Sequence, residues 1–125
     1  MHKVQADIEQ LSELILSYSM ERLRMDPPSI DHPLSQTTLE ELAGQTITER
    51  GLGGEEALRL FVETLAPACI SEDHPRYLAF VPTAPSEAST LFDLVVGASN
   101  ICASSWLEGA GAIYAENQAL RWISD

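Results

Sequence analysis

Apolar residues recur at helical spacing over residues 4–24. Val4, Ile8, Leu11, Ile15 and Tyr18 follow one another at steps of four, three, four and three, which makes one stripe. Leu14 and Leu16 widen it, while Asp7, Glu9, Glu13 and Glu21 lie off its centre. Pro27-Pro28 ends the pattern, and residues 26–36 read as a turn-rich linker. Thr37 with Glu40 fits a capping box and predicts a short helix that Gly44 ends. Gly51 to Gly54 form a loop, and Glu55-Glu56 start a helix whose N-terminal dipole favours acids. Leu58, Phe61, Val62 and Leu65 are its predicted buried face, and Pro67 stops or kinks it.

The second half is organised differently. His74 precedes a proline, which predicts extended backbone, and the apolar residues that follow read as a strand-like or extended run up to Val81. Pro82 and Pro85 then make a rigid corner that presents the Thr83 hydroxyl between them. Such a corner suits a binding wall and suits plain packing; the residues alone do not decide. Ser86 is a good N-cap and Glu87 a good first-turn acid. Ala88, Leu91, Phe92, Leu94, Val95, Val96, Ala98 and Ile101 make the next helix apolar almost all round, so it is expected to be buried on most sides. A chain of 125 residues has little mass to cover it, which implies another body. Gly109-Ala110-Gly111 reads as flexible, and Ile113, Leu120 and Ile123 carry a final helix. That helix reaches Asp125 without a stop signal, as in a fragment.

Charge narrows the function classes. Nineteen acidic residues against seven basic ones give a net charge of −12, which argues against a nucleic-acid or anionic-membrane surface. No apolar run approaches a membrane span and no signal peptide is visible, so a cytoplasmic location is the default expectation. Cys69 and Cys102 make no metal or redox pair and read as buried thiols in a reducing compartment.

Candidate chemistry is sparse. Asp31-His32 lacks a second pair at ligand spacing, so it reads as loop. The glycine-rich loop has no lysine motif and no preceding strand, so it reads as a connection, not a phosphate cradle. Ser104-Ser105 lack a nucleophile elbow and a base. His74 is open to two readings, a ligand or base and a solvated turn residue.

Four pieces of the second half carry a resemblance. They are His74-Pro75-Arg76-Tyr77, Phe80-Val81-Pro82-Thr83, Ser105-Trp106-Leu107-Glu108, and Glu116-Asn117-Gln118-Ala119-Leu120-Arg121-Trp122. Together they resemble the group II pyridoxal-phosphate-dependent amino-acid decarboxylases, the family of the aromatic-L-amino-acid and glutamate decarboxylases. The resemblance implies a mainly α chain: a helical N-terminal arm over residues 1–73, and over 74–125 the start of a truncated decarboxylase domain of the large α/β fold type I. It implies a homodimer joined through the N-terminal helices, with an amino acid as substrate. It also implies that Phe80, Val81, Pro82 and Thr83 line the substrate side-chain pocket, with Cys102 and Ser104 contributed from the other subunit. Small residues at those last two positions imply a roomier pocket or a substrate that is not aromatic.

The family's chemistry runs through a Schiff base between pyridoxal phosphate and a lysine. The one lysine here, Lys3, lies outside any matching motif, so the chain alone is expected to be inactive. A stand-alone acidic helical interaction module is the alternative reading, and a fragment of another pyridoxal-phosphate lyase is a third.

Overall fold

In the computed structural model, residues 8–26, 28, 32–81 and 83–125 are described. Val4, Asp7, Pro27, Asp31, Pro82 and Lys3 therefore lie outside the described residues. Among the described residues the chain is mainly helical and has no strand. It divides into two compact units, Met1–Pro85 and Ser86–Asp125.

The first unit holds α1 (Ile8–Leu23), α2 (Gln36–Ala43) and α3 (Gly54–Leu60), with α3 running directly into a π-helical turn, Phe61–Leu65. The Ala66 amide closes that turn by donating to the Phe61 carbonyl at 2.8 Å, a step of five residues in place of four. α1 packs on α3, and α2 packs on the π turn. The α1–α3 approach is close at Gly54, where a methyl group would run into the Leu11 side chain. The α1 stripe faces inward at Leu11 and Tyr18, which are half-buried, while Ile8, Leu14, Ile15 and Leu16 stay exposed.

Two expectations for the helices of this unit need correction. The α2 cap is Ser35, whose hydroxyl accepts from the Thr38 amide at 3.1 Å. Thr37 lies inside the first turn, and Glu40 accepts instead from the Gln36 amide group at 2.8 Å, so the Thr37–Glu40 box does not form. Gly44 does end the helix, with the φ of +63° that glycine adopts without steric cost. The buried face of α3 is also displaced. Leu60, 8% exposed, is the buried hydrophobic residue of the described chain, whereas Phe61 and Leu65 are exposed and Leu58 and Val62 half-buried. This continuous helix touches α1 and α2, and its last turn departs from the 3.6-residue repeat, so one stripe does not describe it.

The second unit holds α4 (Glu87–Ser99) and α5 (Trp106–Ser124). Ser86 caps α4, its hydroxyl accepting from the Ser89 amide at 3.2 Å, and Asn100 ends it in the left-handed region. No residue of α4 is buried within this chain, so the cover expected for it is not supplied here. Phe92, Leu94, Val95 and Val96 are all exposed. Two helices alone have too little mass to cover an apolar circumference. Gly109-Ala110-Gly111 is helical, not a flexible break; only Gly109 leaves helical geometry, at φ −135° and ψ 35°. Among the described residues no helix is long and apolar enough to cross a membrane.

Candidate functional site

Asp73 is fixed before the candidate wall begins. Arg22, in the last turn of α1, donates from both terminal nitrogens to both Asp73 carboxylate oxygens at 2.7 Å. The side chains are 34% and 18% exposed. A fork-on-fork pair sets plane and distance together. The Arg22 hydrogen bonds hold the Asp73 carboxyl below its ordinary range, against the opposing effect of burial.

The next residues form a turn. The His74 amide donates to the Ser71 carbonyl at 3.1 Å, and the Tyr77 amide to the His74 carbonyl at 2.8 Å. The Arg76 amide donates to His74 Nδ1 at 3.0 Å. His74 is the last residue of one turn and the first of the next, end positions that the extended backbone expected before a proline can occupy, and its side-chain acceptor two residues before an amide reinforces the second turn. That ring nitrogen is used locally, which favours a turn role for His74 over ligand or base. Nor do the apolar residues after the turn form a strand. Phe80 and Val81 both take φ +61°, a region that a β-branched residue occupies only under strain. Leu78, Phe80 and Val81 are 93%, 92% and 93% exposed.

Thr83 is placed differently from its neighbours. It lines a cleft of about 600 Å³ with Tyr18, Arg22, Phe61, Val62 and Asp73. Tyr18 and Phe61 meet edge to face there, with ring centroids 6.1 Å apart and an interplanar angle of 86°. The cleft is therefore largely apolar in its body, with the Arg22–Asp73 ion pair, the Glu72 carboxylate and the hydroxyls of Tyr18, Ser71 and Thr83 on its lining. Of the candidates in the first unit, Thr83 reaches it, Phe80 and Val81 do not line it, and Pro82 lies outside the described residues.

In the second unit, Cys102 and Ser104 come together. Cys102 Sγ and Ser104 Oγ are 3.2 Å apart, within hydrogen-bond distance for sulfur. Glu108 Oε2 accepts from Ser104 Oγ at 2.9 Å and from Ser105 Oγ at 2.7 Å. These hydroxyls, Ser105 first, hold the Glu108 carboxyl low. The Ser104 hydroxyl likewise lowers the Cys102 thiol. Ser104 has a single proton, so the two roles compete: given to Glu108, it leaves the thiol as donor to Ser104 Oγ. The geometry depends on Gly109, because a methyl group there would stand 2.6 Å from the Cys102 carbonyl oxygen and 2.8 Å from Ala103 Cα. Both cysteines are exposed, which corrects the expectation of buried thiols. Among the described residues no cluster of three His, Cys, Asp or Glu side chains is placed to hold a metal ion.

The Arg22–Asp73 pair and the Glu108 acceptor are absent from the sequence-based list of site residues. Arg22 had a signal, since it continues the α1 stripe four residues past Tyr18. Asp73 had none, because pairing across 51 residues leaves no local pattern.

The chain is 28% identical over 116 residues to an aromatic-L-amino-acid decarboxylase from Bacillus atrophaeus. The match covers 91% of this chain and 23% of that protein, so the chain spans about a quarter of its relative's length. No protein-family profile matches the chain. No solved structure matches it.

Proposed function

We propose that this chain is the N-terminal segment of a pyridoxal-phosphate-dependent amino-acid decarboxylase, where it supplies homodimer contacts and one wall of the substrate pocket. The observation that carries this reading is the similarity to an aromatic-L-amino-acid decarboxylase over nine-tenths of the chain. The structure is in keeping with it. α4 and α5 expose Phe92, Val96, Trp106, Leu120 and Trp122, apolar surface that a larger assembly would cover. In the wall, Thr83 offers a hydroxyl to the substrate side chain, and Phe80 and Val81 offer apolar contact. Cys102 and Ser104 leave room because they are small.

The described residues do not fit the cofactor. Pyridoxal phosphate supplies an electron sink for the charge left when a carboxylate departs as carbon dioxide, and it is carried on a lysine amine. The described residues include no lysine, and Lys3 lies outside them. The proposal therefore places the cofactor in polypeptide beyond these 125 residues and gives this chain no chemical step.

The test is to read the coding sequence past Asp125 and assay the whole polypeptide. A lysine-bearing cofactor domain and release of carbon dioxide from an amino acid are expected. In that enzyme Thr83→Val should raise KM about tenfold, the effect of a lost hydrogen bond of about 1.4 kcal/mol, and leave cofactor absorbance unchanged. A reading frame without such a domain, together with a monomeric chain that melts cooperatively, would establish the stand-alone interaction module instead.

A further inference from the structure

The Arg22–Asp73 pair lies at the root of the segment that carries Thr83. Three local bonds close residues 71–77 into one turn, so fixing Asp73 fixes the turn. Among the described residues, no backbone hydrogen bond outside the helices involves residues 78–85. Yet Thr83 and Pro85 return to the cleft that Arg22 and Asp73 also line. The loop thus leaves and rejoins α1 within one cleft, and its fixed end is the ion pair. We infer that Arg22 and Asp73 are positioning residues: their two-point contact locks the 71–77 turn onto the end of α1 and so sets where the Thr83 hydroxyl stands.

The pair suits this role for geometric reasons. A single point contact leaves rotation free, whereas two parallel bonds from a planar guanidinium to a planar carboxylate do not. The strain at Phe80 and Val81 makes a fixed root more important, because their side chains are too exposed to be held by packing within this chain. The functional part of this inference rests on the reading of Thr83 as a substrate-facing residue. The positional part does not.

The experiment uses the whole polypeptide with Arg22→Gln, Asp73→Asn and the exchanged pair Arg22→Asp/Asp73→Arg. Tryptic cleavage after Arg76, followed by mass spectrometry, reads the turn. The Thr83 methyl resonance reads the hydroxyl's position near the Tyr18 and Phe61 rings. Both single variants should speed cleavage about fivefold or more, the effect of losing about 1 kcal/mol of local protection, and shift the resonance; the exchanged pair should restore both. For turnover, KM should rise with kcat held, and Thr83→Val should add little in the Arg22→Gln background. Unchanged cleavage and an unmoved methyl resonance in both single variants would overturn the inference. A moved resonance with additive KM effects would overturn the functional part, since Thr83 would then act on the substrate independently of the pair. An inactive parent polypeptide would defeat the decarboxylase reading, while the cleavage and resonance results would still decide the positional claim.

Discussion

The unit up to Pro85 is tied together by side chains far apart in sequence. Arg22 meets Asp73, Tyr18 meets Phe61, and α3, which carries the buried Leu60, packs on α1. The unit from Ser86 onward is tied mainly by near neighbours. Ser86 caps its own helix, Ser104 and Ser105 hold Glu108, and the Cys102–Ala103 backbone lies against Gly109. α4 and α5 do not pack extensively on each other. Apolar content does not explain the contrast, since α4 is the more apolar helix on its sequence. What differs is whether an apolar face has a partner in the same chain. Hydrophobic burial stabilises only where a second surface exists to exclude water.

This contrast can be broken most directly at Leu60. Leu60→Ala should destabilise the first unit by about 2–3 kcal/mol through lost transfer energy and a residual cavity. Urea unfolding followed by Tyr18 fluorescence would measure it, and the helicity of 87–124 should be unaffected. A loss well under 1 kcal/mol would mean that this unit has no working core.

A smaller effect is expected at the second unit's single close approach. Gly109 stands outside helical geometry, so alanine gains no helix propensity there, and its methyl group should push away the backbone at Cys102 and Ala103, for a cost of about 1–2 kcal/mol. The Cys102–Ser104 contact should open with it. Reaction of Cys102 with a thiol reagent would then change in rate, whereas Cys69, in the other unit, would react as before. Equal rates at Cys102 in parent and variant would show that the loop does not depend on Gly109.

The smallest effect belongs to acid. Arg22 depresses the folded-state pKa of Asp73, so the pair contributes its full stability above the ordinary aspartate value of 3.8. That contribution fades as pH falls through the lower folded value. Partial exposure limits it to about 1 kcal/mol. Glu56, held low by Arg59, and Glu108, held low by Ser105 and Ser104, titrate in the same direction, so the acid response of the parent alone is not diagnostic. The difference in melting temperature between parent and Asp73→Asn isolates the pair. It should be present near neutrality and vanish in strong acid.

Much of the helical layout was legible along the chain. Gly44 and Ser86 marked ends because their chemistry is local: a left-handed turn and a hydroxyl facing an amide. The α2 cap was misread by two residues because Ser35 and Thr37 offer the same hydroxyl, and only backbone geometry chooses between them. The role of the His74 ring was not legible, because the rule for residues before proline speaks of φ and ψ, whereas the ring nitrogen meets the Arg76 amide. Leu60 was missed because a single-stripe pattern assumes one neighbour and a constant period, and the α3–π helix has neither. The candidate site was legible only as a run of residues, 80–83, 102 and 104; that Thr83, and not Phe80 or Val81, lines the cleft depends on contacts distant in sequence.

The π turn at Phe61–Leu65 has a consequence for how this chain tolerates insertions and deletions. A five-residue step holds one residue more than an α-helical turn needs. Deleting any one residue of that turn would let the helix close in ordinary α register. The residues after it would keep the phase they have now, because the surplus residue is taken up within the wide turn. Asp73 would then stay within reach of Arg22. A one-residue gap in this short stretch should therefore be better tolerated than one in the α-helical turns beside it, where losing a residue turns the rest of the chain by about 100° about the helix axis.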